Sequence, residues 1–333
     1  MREKSAHAFT LLELLVAVTI TLILAGLMLT VVTNTLNLWQ RSQGSFTTTS
    51  QAAVVLDMFE RDLQAAIFRR DGATCLTVGV INASPALVPH GWLVSAVMKP
   101  ASIESQRLVV DLGTGATPLI GSSRFGLSGS WFRFLTTNVE VDGSLPVAVS
   151  YQIARRPVSG PVAASNPADV RYSLSRSAVS TSATFSTGYD ITVSDYGSTS
   201  ATPASSRNSK TMMNPNSADA LATNVVDFGI WLYVRDEATG GLRRIYPADD
   251  GDLLHEAKGA GVTPDANRFP EVIDVMVRIV SDAGAALLAE METSGAHITR
   301  PADYASDAEW WWGVVETHST VHVRRIAVKG ISL

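Results

Sequence analysis

Glu13 stands inside a stretch that carries no other charge before Arg41. A carboxylate at the centre of a membrane helix costs about 2.5 to 3.5 kcal/mol on insertion scales, so one in an apolar run needs a partner or a task. Three other groups could do chemistry. His318 and His322 are four apart, with Glu316 beside them, a spacing that sets two metal ligands on one helical turn. Val315, Thr317, Thr320, Val321 and Val323 around them favour a strand instead, where residues four apart stand about 13 Å from one another. Asp249, Asp250 and Asp252 surround Gly251 and could gather oxygens for calcium, but no glutamate follows at calcium-loop spacing, so the segment reads as an acidic turn. No metal and no other cofactor is expected. Trp310, Trp311 and Trp312 are adjacent, and three neighbouring indoles cannot all face one core. They are expected either to anchor a partner or to alternate between two packed layers.

No nucleophile elbow, phosphate loop or dinucleotide glycine fingerprint occurs, and the 6 histidines have no companion nucleophile, so an enzyme is not expected. The formal net charge is −5 with Lys and Arg scattered, which leaves no basic stripe for nucleic-acid phosphates. Cys75 is the single cysteine, which excludes an intrachain disulfide and a thiolate cluster. With 333 residues, 46% apolar and 17% charged, the composition suits one anchor and one large exterior domain.

The elements that position Glu13 begin with a polar, slightly basic leader at residues 1–8. Residues 14–32 then contain no proline and no ionisable group, long enough as a helix for a hydrocarbon core of about 30 Å. Ala6-His7-Ala8 has the form a signal peptidase favours, but it precedes the apolar run rather than following it. A plain one-span anchor accounts for the apolar length and leaves Glu13 unexplained.

The run from Ala8 through Phe9, Thr10, Leu11, Leu12 and Glu13 to Ala17 resembles the cleavage and methylation motif of type IV prepilins and type II secretion pseudopilins. The resemblance implies that a prepilin peptidase cuts between Ala8 and Phe9 and methylates the new amine. Phe9 becomes the mature first residue, and the Glu13 carboxylate pairs with the amine of a neighbouring subunit during assembly. The family usually has Gly before the cut, where this chain has Ala8. Implied partners are other pilin or pseudopilin subunits, an inner-membrane assembly platform and membrane lipid, but not nucleic acid. The implied location is the inner membrane, crossed once, with the C-terminal domain in the periplasm or extracytoplasmic space.

Beyond residue 50 the pattern turns amphipathic, with Val55, Phe59, Leu63 and Ile67 recurring every four residues. The spacing predicts one helix over residues 9–70, about 90 Å long, membrane-spanning over 9–38 and amphipathic over 39–70, with Asp71-Gly72 as its stop. The stripe Val55, Phe59, Leu63 and Ile67 is expected to pack on a sheet.

Period-two alternation then marks strands at 147–153, 225–234 and 273–279, with shorter candidates at 92–98, 107–112, 131–135, 242–246 and 321–328. Residues 155–215 are rich in Ser, Thr, Ala, Pro and Asn and read as a long, partly mobile surface insertion, with weak strands at 170–174 and 189–193. The expected fold is α+β and pilin-like: a long N-terminal helix packed on an antiparallel, sheet-rich domain over 71–333.

Within that superfamily Val54 to Leu63, with its Arg61-Asp62-Leu63 element, resembles a J-type minor pseudopilin, as do Phe228 to Tyr233 and Phe269 to Ile273. The resemblance implies a place at a filament tip, priming assembly without chemistry. The rival expectation is a membrane-tethered ligand-binding or hydrolytic domain on an uncut signal anchor.

Overall fold

The computed structural model describes residues 11–69, 72–80, 130–138, 145–157, 170–193, 196, 212, 215, 217–236, 238–247, 254–258, 267–291, 299–305, 307–329 and 331–332. The chain divides into two compact units, Met1–Thr47 and Thr48–Leu333. Helix α1 (Leu11–Gln64) contributes to both.

In the first unit the helix is unbroken by proline, and Thr19, Thr21, Thr30, Thr33 and Thr35 turn their hydroxyls back onto carbonyls three or four residues earlier, at 2.8–3.0 Å. Those bonds satisfy hydroxyls that would otherwise be stranded on an apolar surface.

In the second unit Ala52, Val55, Leu56, Phe59 and Leu63 are buried, one stripe at helical spacing. They share a core with two antiparallel sheets. The larger sheet has the order β6-β5-β4-β3-β2-β9, made from β2 (Leu76–Val80), β3 (Ser130–Asn138), β4 (Leu145–Pro157), β5 (Val170–Ala178), β6 (Ala220–Thr223) and β9 (Leu254–Ala257). The smaller has the order β11-β10-β7-β8, from β7 (Val225–Arg235), β8 (Leu242–Tyr246), β10 (Val272–Val280) and β11 (Ser319–Ala327).

Alternation decides which side chains face the helix. Phe132, Phe134, Val147, Val149 and Tyr151 join Phe228, Ile230, Val275 and Val277 in that core. The expected α+β fold, a long helix with an antiparallel sheet-rich domain, is the one observed.

Helix α1 ends at Gln64, six residues before the expected last helical residue at position 70. Its last turn is closed by the Thr136 hydroxyl, which donates to the Asp62 carbonyl at 2.8 Å. The backbone is then drawn into sheet pairing: Ala66 bridges Thr136, and β1 (Ile67–Phe68) runs parallel to β12 (Ile331–Ser332). Ile67 therefore does not extend the helical stripe. It is buried with Cys75, Leu135 and Ala148, apart from the core that holds Phe59.

The expected insertion at 155–215 is less of a surface feature than its composition suggests. Its ends lengthen β4 and β5, Thr181–Ser186 forms the short helix α2 capped by Ser180, and Ile191, Tyr196 and Met212 are fully buried. The Met212 carbonyl accepts from Trp131 Nε1 at 3.1 Å, Ser150 Oγ at 2.8 Å and Gln152 Nε2 at 2.8 Å. Residues 189–193 form turns rather than a strand. The strands expected at 92–98 and 107–112 lie outside the described residues.

Two helices complete the second unit, α3 (Asp282–Met291) and α4 (Asp307–His318). They close on each other where Gly284 leaves no space, since a Cβ there would meet His318 Cβ at 2.4 Å and Val280 Cγ1 at 2.5 Å.

Candidate functional site

Glu13 lies in the first turn of α1, and every residue from Leu11 to Leu36 is exposed within the chain. Leu11–Leu36 is long and apolar enough to cross a membrane. Ala8 and Phe9 lie outside the described residues.

The next link is how the second unit holds the continuing helix. Asp62, 5% exposed, faces the larger sheet. Arg176 of β5 grips it through two bonds, Nε to Oδ2 at 2.6 Å and Nη2 to Oδ1 at 2.9 Å, and Tyr151 of β4 donates to Oδ2 at 2.6 Å. A forked guanidinium matches a carboxylate in this geometry, and the phenol fills a further acceptor position. Burial, then the Asp62 charge, drives the Tyr151 pKa well above the usual tyrosine value. Burial disfavours the Arg176 charge, but its bonds and attraction to Asp62 and Tyr151 outweigh that and hold its pKa above the ordinary arginine value. These shifts favour a protonated Tyr151 phenol and a charged Arg176.

On the opposite flank Arg324 of β11 reaches Asp57 at 2.5 Å and Glu60 at 3.1 Å. Thr320 and Thr48 lie 3.3 Å apart on the same seam. Between these contacts Gln51 Oε1 and His322 Nε2 are buried without a hydrogen-bond partner among the described residues. Burial lowers the His322 pKa below its ordinary value.

The other sequence candidates fall in separate places. His318 is the last residue of α4 and His322 lies in β11, so the strand expected through both begins one residue after His318. Among the described residues no group of three or more His, Cys, Asp or Glu is placed to hold a metal ion. Asp249, Asp250 and Asp252 lie outside the described residues.

The three indoles sit on α4, where successive residues turn by about 100°. Trp311 and Trp312 are 0% and 4% exposed and pack with Tyr172, Val226, Val280 and Leu288, while Trp310 is half-buried. A helix accommodates two adjacent indoles in one core because that core meets it from two sides. Trp311 and Trp312 are thereby unavailable as partner anchors.

A further cluster was not foreseen. On the smaller sheet Arg244 stacks over Trp231 at 4.9 Å and Arg325 over Tyr233 at 5.4 Å, while Arg325 holds Asp274 through bonds of 2.7 and 2.6 Å. Burial and then Asp274 push Tyr233 up to about 12. The cross-strand pairings Tyr233–Arg244 and Asp274–Arg325 could be found only once the register was known.

Residues 4–29 match the family described as the prokaryotic N-terminal methylation motif. No curated protein and no solved structure matches the chain. The motif supports the type IV pilin and pseudopilin class, whose members are structural proteins processed by a prepilin peptidase. Its match spans Ala8, Phe9 and Glu13 and runs into the exposed apolar helix, compatible with a single-pass membrane anchor.

Proposed function

We propose that this chain is a minor pilin- or pseudopilin-like structural subunit, cut between Ala8 and Phe9, methylated at Phe9, and assembled through α1 into a type II secretion pseudopilus or a type IV pilus-like filament. The observation that carries the reading is the methylation motif at residues 4–29, joined without interruption to a helix whose apolar side chains are exposed from Leu11 to Leu36. Such a surface is covered by lipid before assembly and by neighbouring helices after it. In the filament the Glu13 carboxylate meets the methylated amine of an adjacent subunit, which supplies a counter-ion in a low-dielectric setting.

The J-type layout suggests a place at the filament tip. The ion pairs at Asp62 and Arg324 hold the second half of α1 within the exterior domain. No catalytic role is proposed for any residue.

The test is mass spectrometry of the amino-terminal peptide after co-expression with a prepilin peptidase and without it. A peptide that starts at Phe9 and carries one added methyl group, absent from the control, is the expected result. An intact Met1 terminus in both samples would return the chain to a plain tethered domain.

A further inference from the structure

Ile191 is 0% exposed, although it stands in turns that follow the short helix α2 rather than in a strand. It covers the face of the larger sheet that points away from α1, where it clusters with Cys75, Leu135 and Ala148. Its N–H donates to the Thr74 carbonyl at 3.1 Å, and its carbonyl accepts from Arg133 Nη1 at 3.3 Å. Earlier in the same segment the Thr184 hydroxyl accepts from the Ala148 N–H at 3.2 Å. Within Thr181–Val193 only Thr184 and Ile191 are buried, so little apolar surface holds the segment down.

What lies beside Ile191 is poorly suited to burial. Thr77 and Arg133 are directly opposite in the β2–β3 register and share the sheet face of Cys75 and Leu135. They are 0% and 8% exposed, yet the Thr77 hydroxyl and Arg133 Nε have no hydrogen-bond partner among the described residues. Burial lowers the Arg133 pKa to about 10, against the attraction of Glu256, which raises it. A buried polar atom without a partner costs the water it gave up. The backbone adds to this cost. Gly188 and Tyr189 are both left-handed, with φ of 71° and 59°, and the Tyr189 side chain makes that conformation unfavourable.

From these opposed terms we infer that Thr181–Val193 is a flap, which lifts off the larger sheet as a unit while both sheets and α1 stay folded. Its base is pinned at Val179, whose N–H donates to the Ala148 carbonyl at 2.9 Å. Its far end is held through Ile191. Lifting that end frees the Arg133 guanidinium from the Ile191 carbonyl and lets water reach Thr77 and Arg133, which stacks over Trp131 at 3.6 Å. The Cys75 thiol, next in the chain to the carbonyl that holds Ile191, reports the motion. The flap is independent of the filament role proposed above.

The experiment times maleimide labelling of Cys75, the single and buried thiol, in the detergent-solubilised full chain. Labelling is followed without urea and in low urea, beside the urea unfolding curve of the same sample. Cys75 should react faster than the global unfolding equilibrium permits, with a weaker urea dependence, because a flap exposes less surface than a whole domain. Gly188→Ala places a Cβ in open space on a left-handed residue and should speed labelling about tenfold. Phe59→Ala weakens the core around α1, apart from the cluster that holds Ile191. It should lower the urea midpoint and leave labelling without urea unchanged. Labelling that Phe59→Ala accelerates in step with the lost stability would overturn the flap, because Cys75 would then be reached only by global unfolding. A Gly188→Ala rate equal to that of the unaltered chain would overturn it as well.

Discussion

Leu22 and Phe59 lie on the same helix, the first 65% exposed in the unit Met1–Thr47 and the second 0% exposed in the unit Thr48–Leu333. Phe59 touches rings from both sheets, with centroids 3.9 Å from Tyr151, 5.6 Å from Phe228 and 5.8 Å from Phe132. Leu22 belongs to a surface that is apolar all round, which water does not tolerate and lipid or neighbouring helices do. One helix thus carries two kinds of apolar residue, those that fold the chain and those that place it among other molecules. The polar residues divide in the same way. Asp62 is satisfied by Arg176 and Tyr151 of its own chain, whereas the role proposed for Glu13 is an ion pair with a neighbouring subunit.

The contrast is broken most severely at Glu13. Glu13→Leu is expected to abolish incorporation into filaments while urea unfolding of the second unit is unchanged; normal incorporation would remove Glu13 from the assembly step. A paired truncation comes next. Phe59→Ala should cost about 3 to 5 kcal/mol of unfolding free energy, and Leu22→Ala should leave it unmoved, both followed by urea melts of the detergent-solubilised chain. Equal losses would show that the first unit is part of the folding core. Asp62→Ala belongs with Phe59→Ala, since it leaves a mostly buried guanidinium without its carboxylate, at about 3 to 5 kcal/mol.

Smaller effects sharpen the picture inside the second unit. Gly284→Ala drives a methyl into His318 and Val280 and is expected to cost about 1 to 3 kcal/mol, read as a fall in thermal midpoint. His322 supplies the least effect and a pH signature. Its folded pKa lies below its ordinary value of 6.5 because the ring is partly buried. The unfolded chain therefore binds the proton more readily, so stability falls as pH drops below about 6.5 toward the folded pKa. His322→Gln should flatten that part of the stability profile; an unchanged slope would assign the dependence to another group.

Much of this was legible from residue order. The methylation motif, the apolar run and the stripe Val55, Phe59 and Leu63 depend on local spacing, and so do the strands at 225–234, 242–246 and 273–279. The helix stop was misplaced because Ile67 fits the four-residue repeat, while its pairing with Ile331 joins residues 264 positions apart. The insertion misled because Ser and Thr mark both loops and the buried polar faces of sheets. Ser175 and Ser177 of the insertion itself are buried in the larger sheet, each 1% exposed.

By itself the amino-acid sequence determined where the methylation motif lies, where a membrane-length helix runs and which of its faces turns to a sheet, because each depends on neighbours within a few turns of chain. Only the tertiary structure decided that Asp62 finds Arg176 and Tyr151, that Arg324 finds Asp57 and Glu60, and that Trp311 and Trp312 belong to the core. Those outcomes depend on strand register and helix docking, where the side chains that meet are separated by long stretches of chain.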